Sequence, residues 1–258
     1  MKISEKRCVV LDMDGTVYLG NIPIPGAVDF IKNNWDRLDF HFLSNNTSKA
    51  PDTYVKKLNG MGIPATLDLI LSPTTPLVDF LKEHHIHTAY IVGNRDFCRD
   101  LAQRMPELRQ QEEGAQAVIL AYDTELTYEK LSRSAILLEN HPDVLFLATH
   151  PDKVCPSPEG PLPDVGSMLA LYKVATGREP QYIFGKPDPA VLKPLLKKYR
   201  KEDMVMAGDR LSTDKKLAEN AGIDFILVLS GEATLEEALA EPVQPTIIAE
   251  DLGKAWEE

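Results

Sequence analysis

The stretch that decides the fold is Val9-Val10-Leu11-Asp12-Met13-Asp14-Gly15-Thr16-Val17-Tyr18-Leu19. An apolar run from Cys8 to Leu11 that stops at a turn signal is typical of a strand buried on both faces of a parallel sheet. Gly15 lets the chain turn away at once, which leaves two aspartates at the carboxyl end of that strand. In open α/β sheets this edge is where ligands bind.

Two like charges this close are costly to bury unless a cation or hydrogen-bond donors compensate them. Asp14-Gly15 taken alone is a common turn pair, and an acidic turn is then the simpler interpretation. The complete Asp-x-Asp-Gly-Thr sequence after an apolar run is much more specific for a ligand site.

Apolar runs and helical patterns alternate along the rest of the chain, which predicts an α/β protein with a doubly wound parallel sheet. The predicted strands that follow the first cover residues 39–43, 69–71, 89–93, 117–121, 144–148, 181–184, 204–207, 225–229 and 246–249. The predicted helices cover residues 26–35, 50–61, 75–83, 96–105, 128–139, 165–176, 189–199 and 215–221, with one more between the last two strands. Residues 18–25 are predicted to form a short loop or hairpin.

Residues 150–164 form an irregular segment rich in proline. Five prolines (Pro151, Pro156, Pro158, Pro161 and Pro163) exclude a helix or a central strand there. A loop of this length in a compact domain is usually functional.

Small polar residues, Ser44 to Ser48, follow the second strand. One interpretation is a helix N-cap, for which Ser, Asn and Thr are favoured. The other is a phosphate site at a helix start, where hydroxyl, amide and backbone N–H groups converge. Both can hold for the same residues.

Two later strand ends also carry charged residues. Lys186 follows a strand and a glycine, and Pro187 biases it toward an extended conformation, although most lysines are simply exposed. Asp209 and Asp214 follow another strand through Gly208, where the alternative is an acidic turn with a helix cap.

These four strand ends together resemble the four motifs of the haloacid dehalogenase-like (HAD) phosphohydrolases, in the order of that family. Asp12-Met13-Asp14-Gly15-Thr16 resembles the first motif, Leu-Ser-Asn-Asn-Thr-Ser the second, Gly185-Lys186-Pro187 the third, and Gly-Asp-x-x-x-x-Asp from Gly208 the fourth. Each motif alone is weak, but their combination is a strong signal.

The spacing of the motifs indicates a subclass. The segment between Asp14 and Ser44 is too short for an extra domain, whereas the segment between Ser44 and Lys186 is long enough for one. This resembles the NagD-like or p-nitrophenyl-phosphatase-like proteins, which have a large α/β cap (type IIA). The resemblance implies a Rossmann-like catalytic core of residues 1–72 and 179–258 and an inserted, smaller α/β cap of residues 73–178.

The resemblance also implies a Mg²⁺-dependent phosphatase that forms an aspartyl-phosphate. Asp12 would be the nucleophile, Asp14 the general acid and base, and Lys186 a fixed cation; Asp12, the Asp14 carbonyl and Asp209 would bind Mg²⁺. Thr16 would orient Asp14, and Asp214 would act through water or by orienting Asp209. The expected phosphate and substrate contacts are Gly15, Ser44, Asn45, Asn46, Asp152 and Cys155. The family often has a histidine near the position of Cys155, and its absence weakens a pyridoxal-phosphate assignment.

Composition limits the partners of the chain. Its 258 residues carry a net charge of −11, which argues against nucleic acid and anionic membranes. No apolar run approaches the ~18 residues of a membrane span. The basic residues 1–7 are followed by an apolar stretch too short for a signal peptide. Three widely spaced cysteines favour the cytoplasm. The expected partners are a small phosphorylated metabolite and, through the cap, a second copy of the chain.

Two other function classes remain. A phospho-accepting signalling receiver also has a strand-end Asp, a Lys and Mg²⁺, but would have roughly half this length and lacks the Asp-x-Asp-Gly-Thr sequence. A non-catalytic binding protein on the same scaffold is the other alternative, although every catalytic position is intact.

Overall fold

The computed structural model describes residues 5–157 and 159–256. Pro158, one of the five loop prolines, lies outside the described residues, as do residues 1–4 of the basic N-terminus and residues 257–258. The chain forms two compact units. Unit 1 comprises residues 1–44, 52–71 and 186–258, and unit 2 comprises residues 45–51 and 72–185. No helix among the described residues is long and apolar enough to cross a membrane.

Unit 1 is built on a six-stranded parallel sheet in the order β15-β14-β13-β1-β4-β5. Its strands are β1 (Cys8–Asp12), β4 (Asp39–Leu43), β5 (Ile70–Leu71), β13 (Met204–Gly208), β14 (Asp224–Val228) and β15 (Ile247–Ala249). The chain runs outward from β1 through β4 and β5, and later outward on the other side through β13 to β15. The strand order therefore reverses next to β1, which is where doubly wound sheets bind ligands.

Helices cover both faces of this sheet. They are α1 (Pro25–Asn33), α2 (Pro51–Gly60), α7 (Lys193–Leu196), α8 (Lys216–Ala221) and α9 (Leu235–Ala240). Side chains of β1 alternate between two apolar clusters, because successive strand residues point to opposite faces. Val9 and Leu11 join the cluster that contains Ile31. Cys8 and Val10 join the opposite cluster. Burial on both faces explains why the strand is continuously apolar.

The register of the central strands aligns their carboxyl ends. Asp12 of β1 lies opposite Leu43, the last residue of β4, and Leu11 lies opposite Ala207 of β13. Ser44 and Asp209, each the residue after its strand, therefore start from the same edge of the sheet as Asp12. A short β-hairpin follows the first motif; its strands, β2 (Tyr18–Leu19) and β3 (Ile22–Pro23), have two residues each.

Unit 2 contains a second parallel sheet of five strands in the order β12-β9-β8-β6-β7. Its strands are β6 (Thr88–Val92), β7 (Arg109–Gln110), β8 (Ala117–Leu120), β9 (Leu145–Ala148) and β12 (Tyr182–Ile183). Its helices are α3 (Thr74–Glu83), α4 (Arg95–Arg104), α5 (Tyr128–Asn140) and α6 (Val165–Thr176). Since β12 pairs with β9, residues 179–185 belong to unit 2 by contact, whereas the sequence suggested a division after residue 178.

Three segments differ from the sequence predictions. The proline-rich segment contains a two-stranded antiparallel ribbon, β10 (Val154–Cys155) and β11 (Leu162–Pro163), apart from the main sheet. The single helix predicted over 189–199 is a 3₁₀ turn, Pro189–Leu192, followed by the short α7, because Pro194 has no N–H to continue a helix. One turn of π-helix, Leu211–Lys215, precedes α8, a distortion that is common at functional sites.

Candidate active site

The centre of the site is a buried ion cluster in unit 1. The Lys186 ammonium donates hydrogen bonds to Oδ1 of Asp12 and, at 2.6 Å, to Oδ1 of Asp214. The side chains of Lys186 and Asp214 are 3% and 0% exposed, and that of Asp12 is 12% exposed. Asp12 is the last residue of β1 and Asp214 lies in the π-turn, so the third and fourth sequence motifs reach the first one.

Burial and neighbouring charges together raise the pKa of Asp12, of Asp209 and of Lys186. Burial raises the pKa of Asp12, and the carboxylates of Asp214 and Asp209 raise it further, while Lys186 opposes this. Burial raises the pKa of Asp209 to about 6. Burial alone would lower the pKa of Lys186, but Asp12 and Asp214 outweigh that effect and raise it. The ammonium therefore stays charged as the partner of two carboxylates.

Glycines make room for the carboxylates. A Cβ at Gly208 would overlap the Asp214 carboxylate, and one at Gly15 or Gly231 would overlap that of Asp209. Gly15 also has a φ of +94°, a backbone conformation that other residues rarely adopt. Gly15 of the first motif and Gly208 of the fourth are thus required because a carboxylate lies directly against the backbone at each position.

The cluster also has the composition of a divalent-cation site. Oxygens of Asp12, Asp209 and Asp214 lie within 4.8 Å of one another. Oδ2 of Asp209 accepts a hydrogen bond from the Glu232 amide at 2.8 Å, but its buried Oδ1 has no partner among the described residues. A buried carboxylate oxygen without a donor suits a hard cation such as Mg²⁺, which prefers oxygen ligands.

Asp14 is held by a residue that the sequence reading missed. Its Oδ1 accepts a hydrogen bond from the Gly20 amide, 3.3 Å away, at the tip of the β2–β3 hairpin. The Thr16 hydroxyl, expected to orient Asp14, is buried and has no hydrogen-bond partner among the described residues. The hairpin was visible in the sequence, but no pattern indicated that its tip contacts Asp14.

The polar segment after β4 divides between the units. Ser44 belongs to unit 1, where its hydroxyl lies 3.4 Å from the Tyr54 hydroxyl. Asn45 and Asn46 belong to unit 2. The Asn46 Oδ1 accepts hydrogen bonds from the amide and hydroxyl of Ser48, an N-cap-like arrangement in front of α2. These contacts close a turn of residues 46–48 ahead of α2, and the helix-cap interpretation stays a prediction.

Unit 2 contains the other predicted residues. The Asn45 amide donates to both Asp152 oxygens at 3.3 and 3.2 Å, and the Asn46 amide lies 3.8 Å from the Cys155 sulfur. His150 lies between two carboxylates, with Nδ1 3.7 Å from Asp152 and Nε2 3.6 Å from Asp164. His150 and Asp164 were overlooked because they were read only as the ends of a loop.

Comparison with known proteins agrees with the geometry. Residues 9–104 match the family model "Haloacid dehalogenase-like hydrolase", and residues 183–255 match a HAD-hydrolase-like model. The chain is 31% identical to an acid sugar phosphatase of Staphylococcus epidermidis over 255 residues, 96% of each chain.

Solved structures give the same result. The 4-nitrophenylphosphatase of Thermotoga maritima superposes with a TM-score of 0.91 at 36% identity, covering 98% of this chain and 97% of that one. The glycerol phosphate phosphatase of Mycobacterium tuberculosis, in complex with magnesium, superposes with a TM-score of 0.89 at 29% identity, covering 98% and 77%. The expected fold and family are confirmed.

A strand-end aspartate pair, a buried lysine and a third strand-end carboxylate are thus combined with whole-length similarity to phosphatases. The chain belongs to the haloacid dehalogenase-like hydrolase family and is an enzyme of its p-nitrophenyl-phosphatase-like branch.

Proposed function

We propose that this enzyme hydrolyses small phosphate monoesters in a Mg²⁺-dependent reaction, through an aspartyl-phosphate on Asp12. The observation that carries the proposal is the buried contact of the Lys186 ammonium with the Asp12 carboxylate at the edge of the unit 1 sheet. A carboxylate beside a fixed cation is suited to attack a phosphoryl group, because the cation offsets repulsion between two anions.

The metal would be held by Asp12, the Asp14 main-chain carbonyl and Asp209, with Asp214 acting through water or by orienting Asp209. When bound, Mg²⁺ would neutralise charge on the phosphoryl oxygens and fix their orientation. The buried Oδ1 of Asp209, which has no donor among the described residues, supports this assignment.

The residues of the chain carry the proton and phosphoryl transfers. An Asp12 oxygen attacks phosphorus in line, the bond from phosphorus to the leaving oxygen breaks, and Asp14 donates a proton to that oxygen. Asp14 then takes a proton from water, which attacks the aspartyl-phosphate and regenerates Asp12 with release of phosphate. Lys186 remains a cation throughout and offsets the charge of the transferring group.

Binding of the substrate is assigned to two groups of residues. Gly15, Ser44, Asn45 and Asn46 would bind the phosphate through hydroxyl, amide and backbone N–H groups. Asp152 and Cys155 would contact the leaving group. The similarity to an acid sugar phosphatase and to a 4-nitrophenylphosphatase favours sugar phosphates as substrates and p-nitrophenyl phosphate as a convenient assay ester.

A substrate panel tests the proposal. Purified protein is assayed with Mg²⁺ against hexose phosphates, glycerol phosphate, phosphoglycolate, pyridoxal phosphate and p-nitrophenyl phosphate, with EDTA as the matched control. We expect phosphate release that depends on Mg²⁺ and is higher for the small hydroxylated esters of this panel than for a phosphopeptide assayed beside them. Absence of release from every ester in a folded protein would contradict the proposal.

We also propose that unit 2 mediates a homodimer. Two apolar residues of α6, Leu171 and Val174, are 45% and 90% exposed, and a second copy would bury them. Light scattering of wild type and Val174→Glu tests this, since a monomeric wild type would contradict it.

A cytoplasmic location stays a prediction that rests on the cysteines.

A further inference from the structure

The β2–β3 hairpin connects Asp14 to a lysine that no sequence motif indicates. Gly20 is the first of the two turn residues between Leu19 and Ile22, and its φ of +54° is the conformation that glycine favours there. The amide of Gly20 donates to Asp14, as described above. The position of this turn therefore sets the position of one Asp14 oxygen.

The same glycine is also held through its carbonyl. The Lys57 ammonium, from α2, donates a hydrogen bond to the Gly20 oxygen. The ammonium lies 3.3 Å from the centre of the Tyr18 ring, and Tyr18 is only 2% exposed. A cation over a buried aromatic face is fixed in place, unlike most surface lysines. Lys57 thus joins a helix to the turn that contacts Asp14.

We propose that Lys57 is a positioning residue for Asp14: it fixes the Gly20 turn, whose amide orients the carboxylate that transfers protons. This inference rests on the proposed function, in which Asp14 is the general acid and base. A general acid contributes most when the leaving oxygen is strongly basic, and only when it is held within hydrogen-bond reach. Loss of Lys57 should therefore impair alkyl phosphates more than activated aryl phosphates.

Lys57→Met separates this role from packing, because methionine keeps an unbranched side chain of similar length while the ammonium is lost. We expect kcat for glycerol phosphate to fall about tenfold, part of the 10²–10⁴ that a general acid supplies, and kcat for p-nitrophenyl phosphate to fall less than about threefold. Lys57→Arg keeps a charged donor and should restore most of the loss. Lys56→Met is the matched control, since Lys56 is 79% exposed in a surface pair with Asp52.

A double-mutant cycle identifies the group through which Lys57 acts. If Lys57 acts through Asp14, Lys57→Met should add nothing to the loss in Asp14→Asn, because the group it positions is already absent. Gly20→Ala gives a second, independent variant. It disturbs the turn through its positive φ, and no atom would crowd the added methyl group, so the same preference for activated esters is expected.

The outcomes separate this inference from the proposed function. Equal losses for both esters, a change in KM alone, or additive losses in the Asp14→Asn background would each show that Lys57 supplies only charge or stability. A wild type without phosphatase activity would overturn the proposed function itself. If Lys57→Met does not fold, Lys57→Arg and Gly20→Ala still decide the matter, and a leaving-group preference unchanged in Gly20→Ala would overturn the inference.

Discussion

The two units both bury aspartates, but they compensate the charge in different ways. In unit 1 the oxygens of three carboxylates lie within 4.8 Å of one another, and the Lys186 ammonium contacts two of them, those of Asp12 and Asp214. In unit 2 the carboxylates of Asp152 and Asp164 lie on either side of His150, and Asp152 also accepts from the neutral Asn45 amide. The first cluster sets its carboxylates against an ammonium, whereas the second sets them against an imidazole, the Asn45 amide and the Val165 backbone N–H.

This difference suggests that the two units have different functions. An excess of buried carboxylate is costly unless a cation binds, so the unit 1 cluster is suited to a metal and to phosphoryl chemistry. In unit 2 the Asn45 amide donates to Asp152 and the Val165 backbone N–H donates to Asp164, and such contacts are suited to fixing the shape of a loop. We expect substitutions in unit 1 to affect every substrate and those in unit 2 to affect the choice among substrates.

The largest effect is expected for Asp12→Asn. The change is nearly isosteric but removes the proposed nucleophile, so turnover should fall by about 10³-fold or more, a barrier increase of about 4 kcal/mol. Circular dichroism should show an intact fold. Full phosphatase activity in this variant would mean that no aspartyl-phosphate forms at Asp12.

The next prediction compares a buried lysine–aspartate pair with a half-buried one. Lys186→Met leaves Asp12 and Asp214 buried without their cation. We expect the free energy of unfolding to fall by about 3 kcal/mol or more, and phosphatase activity to be lost as well. Lys130→Met is the matched control in unit 2, where Lys130 lies 2.7 Å from the fully buried carboxylate of Asp123. Urea titration should show that Lys130→Met is less stable than wild type. Assays under conditions in which the variant is fully folded should show that it retains turnover. Similar activity losses in both variants would remove the distinction between the units.

A smaller and selective effect is expected for Asp152→Asn. It disturbs the contacts with Asn45 and His150 in the unit 2 cluster. The ranking of sugar phosphates should change, while p-nitrophenyl phosphate turnover stays within about tenfold, or about 1.4 kcal/mol. Exposed Asp143 of the same unit gives the control Asp143→Asn. An equal loss of turnover toward every ester would mean that unit 2 supplies catalytic groups. Cys155→Ser repeats the test at the other residue predicted to contact the leaving group.

The smallest effect concerns the acid stability of unit 1 outside its ion cluster. His41 on β4 is 6% exposed, neither ring nitrogen has a hydrogen-bond partner among the described residues, and burial lowers its pKa below 6.5. The unfolded chain therefore binds the proton first as pH falls below 6.5. Stability should fall there with a slope of up to about 1.4 kcal/mol per pH unit until the folded-state pKa is reached.

His41→Phe should remove this part of the acid sensitivity in urea titrations between pH 7.5 and 5. An unchanged pH dependence would show that His41 does not titrate on unfolding. The comparison uses the slope with pH, because the substitution also alters packing against Tyr199, whose ring centre is 6.3 Å away.

The sequence alone determined the sheet of unit 1 and the residues at its edge. Cys8 to Leu11 had to be a doubly buried strand because no position in it could face water, and Asp12 and Asp209 stand at the carboxyl ends of two such strands of this sheet. Parallel strands in one sheet place their carboxyl ends on one side, so the meeting of Asp12 with Asp209 followed from order and spacing. Lys186 follows β12, a strand of the unit 2 sheet, so its contact with Asp12 was decided by tertiary structure. The helices α3 and α6 were predictable for a similar local reason, the spacing of their apolar residues.

Other features were decided by tertiary structure. The break in the helix predicted over 189–199 had a local signal, Pro194, but the ribbon in the loop, the Lys57–Gly20–Asp14 connection and the Asn45–Asp152–His150–Asp164 cluster did not. Lys57 lies 37 residues from Gly20, and Asn45 lies 107 residues from Asp152. Such contacts depend on the direction of individual side chains after distant segments have packed. Local periodicity specifies which face of an element is buried, and not which polar atoms it meets there.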